Sequence, residues 1–152
     1  FASKAQMFEG LIEFIEQSVF TLVNQVLDRG ADQPAEAGAL ATRQAAAIVT
    51  LLLQFAERNP GMARVMVGDA LVYENERLQQ RMNQFFDRIE SALRQCLRVA
   101  AEHAQSATPT VDAQVRASML SAFAAGRLQR FARSGFKRLP SEQLDACLAR
   151  ML

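Results

Sequence analysis

The sequence has few of the residues from which most enzyme sites are built. Its 152 residues include one histidine, two cysteines, one tyrosine and no tryptophan. The histidine, His103, lies beside a polar linker and lacks the clustered Cys, Asp or Glu that a metal site or a catalytic triad needs. Glycine-rich phosphate loops and the GxSxG and HExxH motifs are also missing. We therefore predict that the chain is not an enzyme and holds no metal or cofactor.

The two cysteines, Cys96 and Cys147, lie far apart and outside any CxxC or metal-ligand spacing. Each falls on an apolar helical stripe, a pattern typical of reduced thiols packed in the core of a cytosolic protein. No apolar run approaches the roughly 20 residues that cross a bilayer, and the start of the chain shows no signal-peptide pattern. We expect a cytoplasmic protein without a membrane span.

An excess of charge of one sign is missing too. Seventeen basic residues stand against sixteen acidic ones, which gives a net charge of +1. Contacts with nucleic-acid phosphates require a basic excess, so this chain is not expected to bind DNA by itself. Half of its residues are hydrophobic, enough for one core of ordinary domain size.

Hydrophobic periodicity predicts an all-α chain. Apolar residues recur at helical spacing, and period-two strand patterns bounded by turns are absent. Proline, glycine and polar residues mark the breaks between helices. The predicted helices lie near residues 3 to 28, 40 to 59, a short one at 61 to 68, then 70 to 102, 110 to 133 and 141 to 151.

The first residues predict a helix that begins near residue 3. The Ser3 hydroxyl can cap it, and Gln6 completes a capping box. Phe1 stands in the turn before this cap, and the initiator Met is missing. We therefore expect residues 1 to 152 to be a C-terminal domain whose preceding segment is absent from this chain.

Two predicted helices carry a candidate groove for a partner. On the first, Phe14 points about 120° away from the centre of the apolar stripe. On the second, Leu51, Gln54 and Arg58 form a line that ends beside Asn59. An apolar line ending in arginine suits an acidic and apolar peptide. Alternatively, another helix of this chain covers Phe14, and Arg58 binds the terminal carbonyls of its own helix.

The helix predicted at residues 110 to 133 has two apolar faces, which implies two packing partners. One face includes Leu120, Ala124, Leu128 and Phe131. The other is rich in small residues that permit a close approach between helices. We predict that this face and the last helix together form a symmetric homodimer interface with a second copy of the chain. The predicted interface residues are Val115, Met119, Ala122, Phe123, Gly126, Leu144 and Leu148.

Four segments carry a resemblance to a known family. They are SKAQMFEGLIEFIE at residues 3 to 16, AERNPG at 56 to 61, RLQQRMNQFFDRIE at 77 to 90 and RFARSGFK at 130 to 137. In this order they resemble the nucleoid-occlusion factors among the TetR-type regulators. The resemblance implies a C-terminal helical bundle for dimerisation and regulation, preceded by a helix-turn-helix that binds chromosomal DNA. It also implies a nucleoid-associated inhibitor of cell division.

In the family that the chain resembles, the C-terminal tail of the division protein FtsZ docks between the first two helices of this domain. The resemblance implies that the matching positions bind the tail here. Two of them depart from the family pattern, because Leu22 replaces Arg and Gln54 replaces Gly. The alternatives are a ligand-responsive TetR-type repressor with a small-molecule pocket and a purely structural helical dimer. The implied tail-binding residues are Phe14, Leu22, Leu51, Gln54, Arg58 and Asn59.

Overall fold

The computed structural model describes residues 3–152. Phe1 and Ala2 lie outside this range, so the prediction that Phe1 stands in the turn before the first helix falls outside the described residues. Over residues 3–152 the chain forms helices and turns without a strand, which confirms the all-α prediction. Short 3-10 turns precede the second and fourth helices. The α-helices of this range are α1 (Lys4–Leu27), α2 (Ala37–Arg58), α3 (Pro60–Val67), α4 (Glu76–His103), α5 (Pro109–Arg133) and α6 (Leu144–Met151).

α1 begins where the sequence predicts. Ser3 is its N-cap, and the Ser3 hydroxyl accepts a 3.1 Å hydrogen bond from the backbone N–H of Gln6. Such a cap satisfies one of the free N–H groups of the first helical turn. The apolar stripe of α1 is buried in the core, with Phe20 packed edge-on against Phe85 of α4. The buried residues of α1 are Phe8, Ile12, Ile15, Val19, Phe20 and Val23.

α2 is the central helix and packs against α1, α3, α4 and α5. With the turn before it, the segment Pro34–Arg58 is long and apolar enough to cross a membrane by length and composition alone. The sequence prediction that no such run exists is therefore wrong on those two criteria. A core helix of a folded protein meets the same two criteria, and eight residues of α2 are buried in the core. Its buried residues are Ala41, Ala45, Ile48, Val49, Leu52, Leu53, Phe55 and Ala56.

α4 begins at Glu76 rather than near residue 70. α3 ends at Gly68, whose φ of 89° is left-handed, and a short 3-10 turn follows at Asp69–Leu71. The side chain of Asn75 then accepts a 2.9 Å hydrogen bond from the N–H of Arg77 and caps the new helix. The left-handed glycine and the late cap together explain why the helix cannot start earlier.

α6 begins at Leu144 rather than at Ser141. Gln143 has a left-handed φ of 53°, so an α-helix cannot run through it. Ser141 does not cap α6 as predicted. Its backbone N–H instead donates a 2.7 Å hydrogen bond to Oε1 of Glu57 near the end of α2.

Arg127 on α5 holds the connection between α5 and α6 in place. Its Nη1 donates to the carbonyl oxygens of Pro140, at 3.0 Å, and of Glu142. Its Nη2 lies 3.3 Å from Sγ of Cys147, and its guanidinium carbon lies 4.7 Å from the ring centre of Phe123. One side chain therefore joins α5, the connection and α6.

The two cysteines differ in environment. Cys96 is buried on α4, and this burial raises the pKa of its thiol above the ordinary value. Cys147 on α6 is only partly buried. The core-thiol prediction is therefore confirmed for Cys96 and holds only in part for Cys147. Residues 3–152 contain no group of three His, Cys, Asp or Glu placed to hold a metal ion.

α5 has the two faces that the sequence predicts. The face with Leu120, Ala124, Leu128 and Phe131 is buried against the rest of the chain. The opposite face exposes large apolar side chains to solvent, at positions Val111, Val115 and Met119, each a little over half exposed. This exposed face is available to a second molecule.

Candidate partner-binding groove

An open groove of about 820 Å³ lies between α1, α2 and α6. α1 lines it with the last two turns of the helix, where Leu22 is 40% exposed. α2 lines it along most of its length, from Thr42 to Arg58. Because the buried faces of both helices point into the core, the groove walls come from their outer flanks.

Four of the six predicted tail-binding residues line this groove. Leu22 comes from α1, and Leu51, Gln54 and Arg58 come from α2. Leu51 is half-buried against the core, whereas the side chains of Gln54 and Arg58 are exposed. The structure therefore brings together apolar groups, an amide and a guanidinium, the combination that the line on α2 predicts.

Phe14 lies outside the groove lining but close to it. Its side chain is 47% exposed, and its ring centre lies 6.0 Å from that of Phe55 on α2. Leu22 follows eight residues later on α1, roughly 12 Å along the helix. No helix of the described chain covers Phe14 fully, so its ring is an exposed apolar group beside α2, outside the groove lining.

Asn59 also lies outside the groove lining, and its side chain has a structural partner. Its Nδ2 donates a 2.9 Å hydrogen bond to the carbonyl of Phe55, and its own carbonyl accepts from Met62 and Ala63. Asn59 thereby joins the end of α2 to the start of α3. Only its Oδ1 is left to accept a hydrogen bond from a bound peptide.

The charged side chains that line the groove are mostly positive. They are Arg29 just after α1, Arg43 and Arg58 from α2, and Asp145 from α6. None of the four forms an ion pair within residues 3–152, and the Arg58 guanidinium makes no hydrogen bond there. The alternative in which Arg58 binds its own helix carbonyls is therefore not observed. The groove lining therefore carries three positive charges and one negative charge, although the whole chain is nearly neutral.

The ends of α1 and α2 are fastened beside this charged region. Nε2 of Gln44 donates 3.1 Å hydrogen bonds to the carbonyls of Val26 and Arg29. These carbonyls belong to the last turn of α1 and the residues after it, and that of Val26 also accepts from the backbone N–H of Arg29. Gln44 thereby fixes where α1 ends relative to α2.

Sequence reasoning missed the third wall of the groove. α6 contributes Asp145, Leu148 and Ala149, and Leu152 follows directly after it. Their spacing of three, one and three residues puts them on one helical face, a signal that the sequence contains. The sequence does not say that this face meets α1 and α2, because long-range hydrogen bonds position α6.

The predicted dimer residues fall into two groups. On α5, Val115 and Met119 are 54% and 51% exposed, Ala122 and Gly126 are exposed, and Phe123 is half-buried. On α6, by contrast, Leu144 and Leu148 are each 5% exposed because they pack into the core of their own chain. A second chain can contact the α5 group. It can contact little of Leu144 and Leu148, because these side chains are buried.

A family model described as "Tetracyclin repressor-like, C-terminal domain", of the SlmA-like kind, matches residues 41–151, well over half of the chain. The chain belongs to the SlmA-like family. The match includes α3 to α6 and most of α2, so it covers two of the three walls of the groove. It confirms the predicted resemblance and the all-α class of the TetR-type C-terminal domain.

Curated relatives agree with this assignment and are named nucleoid occlusion factor SlmA. The one from Idiomarina loihiensis is 47% identical over 146 residues, which span 96% of this SlmA-like chain and 70% of the relative. The one from Photobacterium profundum is 46% identical over 145 residues, or 95% of this chain and 69% of the relative. The one from Vibrio cholerae is 45% identical over the same shares.

Proposed function

We propose that this SlmA-like domain acts in nucleoid occlusion, the role given in its relatives' names. As part of a homodimer on the chromosome, it binds the C-terminal tail of FtsZ in the groove between α1, α2 and α6. Z-ring assembly over the nucleoid is thereby opposed. The protein is then cytoplasmic and nucleoid-associated, and it acts by binding rather than by catalysis.

The observation that carries the proposal is the groove itself. Leu51, Gln54 and Arg58 form one line on α2, the family resemblance adds Leu22, and all four line one surface of the folded chain. The unpaired arginines give this surface the charge that an acidic peptide requires. Its apolar part gives such a peptide side chains to pack against, and the exposed ring of Phe14 on α1 offers a further apolar contact.

Each groove residue has a distinct role in the proposed complex. Phe14 and Leu51 remove apolar side chains of the tail from water, which is the main source of affinity. Arg58 pairs with a carboxylate of the tail, and a charge-assisted hydrogen bond of this kind is stronger than a neutral one. Oδ1 of Asn59 accepts from a backbone N–H of the tail. Leu22, which replaces an arginine of the family pattern, packs against apolar side chains of the tail.

Chromosomal DNA is assigned to a segment outside these 152 residues. Their net charge of +1 gives no overall basic excess for contacts with phosphates. In the proposed dimer, the exposed face of α5 meets the same face of a second chain. Val115, Met119 and Gly126 lie on that face, and a symmetric interface of this type is the commonest in oligomers.

The experiment is a titration of a labelled FtsZ C-terminal tail peptide into the protein, followed by fluorescence anisotropy. Phe14→Ala and Arg58→Ala are each expected to weaken binding by about 2 kcal/mol, roughly thirtyfold. Matched controls are Tyr73→Ala, which removes an aromatic ring that is 97% exposed, and Arg94→Ala on the exposed side of α4. Unchanged affinity in both groove variants would overturn the assignment.

A ligand-responsive TetR-type repressor is the second candidate. The groove volume of about 820 Å³ falls within the range of small-molecule sites, roughly 300–1,000 Å³. A thermal-shift screen with small apolar acids discriminates the two functions. A compound that raises the melting temperature in the wild type, and not in Leu51→Glu, would support the repressor; a screen without hits, together with saturable tail binding, would exclude it.

A further inference from the structure

The face that α6 turns toward the groove combines a carboxylate with apolar groups. Asp145, Leu148, Ala149 and Leu152 occupy positions i, i+3, i+4 and i+7 of one helical stripe, and all four line the groove. Leu148 is buried in the core and anchors the helix, whereas Asp145 and Ala149 are exposed. A ligand lying in the groove therefore meets α6 through an unpaired carboxylate beside an apolar surface.

The start of α6 is fixed at the Arg58 end of α2. Glu57 accepts the 2.7 Å hydrogen bond from the N–H of Ser141, and Glu57 directly precedes Arg58. Asp145 follows Ser141 by four residues and lies in the first turn of α6. A free guanidinium and a free carboxylate thus lie at the same end of the groove, on different helices.

We propose that Asp145 is a specificity-determining residue of the groove and binds a basic side chain of the docked segment. This inference rests on the proposed function, in which Arg58 binds a carboxylate of the same segment. The opposite charges of Arg58 and Asp145 favour a ligand whose acidic and basic groups lie in one order, and they repel a ligand bound in the reverse orientation. The segment that fits is therefore acidic and apolar overall, with one lysine or arginine placed next to the acid that Arg58 binds.

The three arginines of the groove support this role for the single aspartate. Against a ligand with acids alone, Asp145 would be a repulsive contact in an otherwise positive surface. Against a ligand with a basic side chain at this position, the same carboxylate is attractive and selects the register in which the ligand lies. Asp145 is exposed, so its effect on affinity is that of a solvent-accessible ion pair, modest and weakened by salt.

The test is a charge cycle between the protein and the peptide. The probes are the FtsZ tail peptide and versions of it in which each Lys or Arg is replaced in turn by Gln. Asp145→Asn is expected to weaken binding of the parent peptide by about three- to fivefold. It is expected to have no effect on the one Gln-substituted peptide that has lost the interacting side chain. Asp87→Asn, an exposed aspartate on α4, is the control.

Two results would overturn the proposal. One is an unchanged affinity of Asp145→Asn for every peptide, and the other is an equal loss for all peptides, which would mean that the residue acts through folding. In both cases the Phe14→Ala and Arg58→Ala variants report separately on the proposed function. If those two variants lose binding, the groove assignment stands and the role of Asp145 alone fails.

A steric pair tests whether the ligand reaches α6 at all. Ala149 and Ala146 are both exposed on this helix, but only Ala149 lines the groove. Ala149→Gln is expected to weaken peptide binding by about fivefold or more because the longer side chain fills the groove. Ala146→Gln is expected to leave binding unchanged. Equal affinities of the two variants would contradict a third wall. Gel filtration of both variants checks that the oligomeric state is the same.

Discussion

Glu57 and Ser141 lie 84 positions apart in the chain, yet Oε1 of Glu57 accepts a 2.7 Å hydrogen bond from the backbone N–H of Ser141. This contact ties the end of α2, which carries Arg58, to the connection that precedes α6. From the other side, Arg127 holds the same connection through the carbonyls of Pro140 and Glu142. Glu57 of α2 and Arg127 of α5 thus position α6, the third wall of the groove.

Removal of the Glu57 carboxylate is expected to destabilise the protein. Glu57→Ala leaves the Ser141 N–H without its charged acceptor in a partly buried place, which costs about 1–2 kcal/mol of unfolding free energy. Urea denaturation followed by helical circular dichroism measures it. Glu90→Ala on α4 is the control, since Glu90 forms no ion pair within residues 3–152. Equal stabilities of the two variants would show that the contact is unimportant.

A side chain at position 68 is expected to destabilise the protein. Its φ of 89° is left-handed, and an added Cβ would lie 2.5 Å from Nε2 of Gln79. Gly68→Ala should lower the unfolding free energy by about 1–2 kcal/mol. Gly61→Ala is the matched control, because a Cβ there meets no heavy atom within 4 Å. A denaturation midpoint of Gly68→Ala at or above that of Gly61→Ala would contradict the left-handed backbone.

The two thiols are expected to react at different rates. Burial raises the pKa of the Cys96 thiol, so less of it is thiolate at neutral pH, and its sulfur is also shielded from reagents. Cys147 is partly exposed. Iodoacetamide should therefore modify Cys147 in the native protein and Cys96 only after unfolding, as peptide mass mapping reads out. Modification of Cys96 first would place it outside the core.

The exposed face of α5 is expected to hold two molecules together. Met119→Glu places a charge in the predicted interface and should raise the dimer dissociation constant at least about tenfold. Light scattering coupled to gel filtration measures the change as a shift toward monomer. Val72→Glu is the control, since Val72 is 66% exposed in the loop before α4. A dimer that survives Met119→Glu unchanged would place the interface elsewhere.

The parts of the molecule that follow from local rules were predictable from the sequence. The cap of Ser3 and the buried stripe of α1 depend on residues a few positions apart. The same holds for the line from Leu51 to Arg58, which one helical face determines. Most of the helices and three of the groove residues, Leu51, Gln54 and Arg58, could therefore be predicted from spacing, whereas Leu22 followed from the family resemblance.

The parts that depend on distant contacts could not be predicted. The start of α6 follows from Gln143 in a left-handed conformation and from the bond between Ser141 and Glu57. The side-chain amide of Asn59 donates a hydrogen bond to the carbonyl of Phe55 where α2 meets α3, and residue spacing does not predict this contact. Whether Asp145 lines the groove depends on these distant contacts, because they position α6. An exposed aspartate on a helix does not by itself indicate a binding site.

The central claim is that an FtsZ tail occupies the groove between α1, α2 and α6. The most direct measurement is a titration of the unlabelled tail peptide into isotope-labelled protein, followed residue by residue through amide chemical shifts. The account predicts saturable shifts concentrated at Leu22, Leu51, Arg58 and the first turns of α6, with little change on the exposed face of α4. Shifts confined to α4 or to the exposed face of α5, or no shifts at saturating peptide, would contradict it.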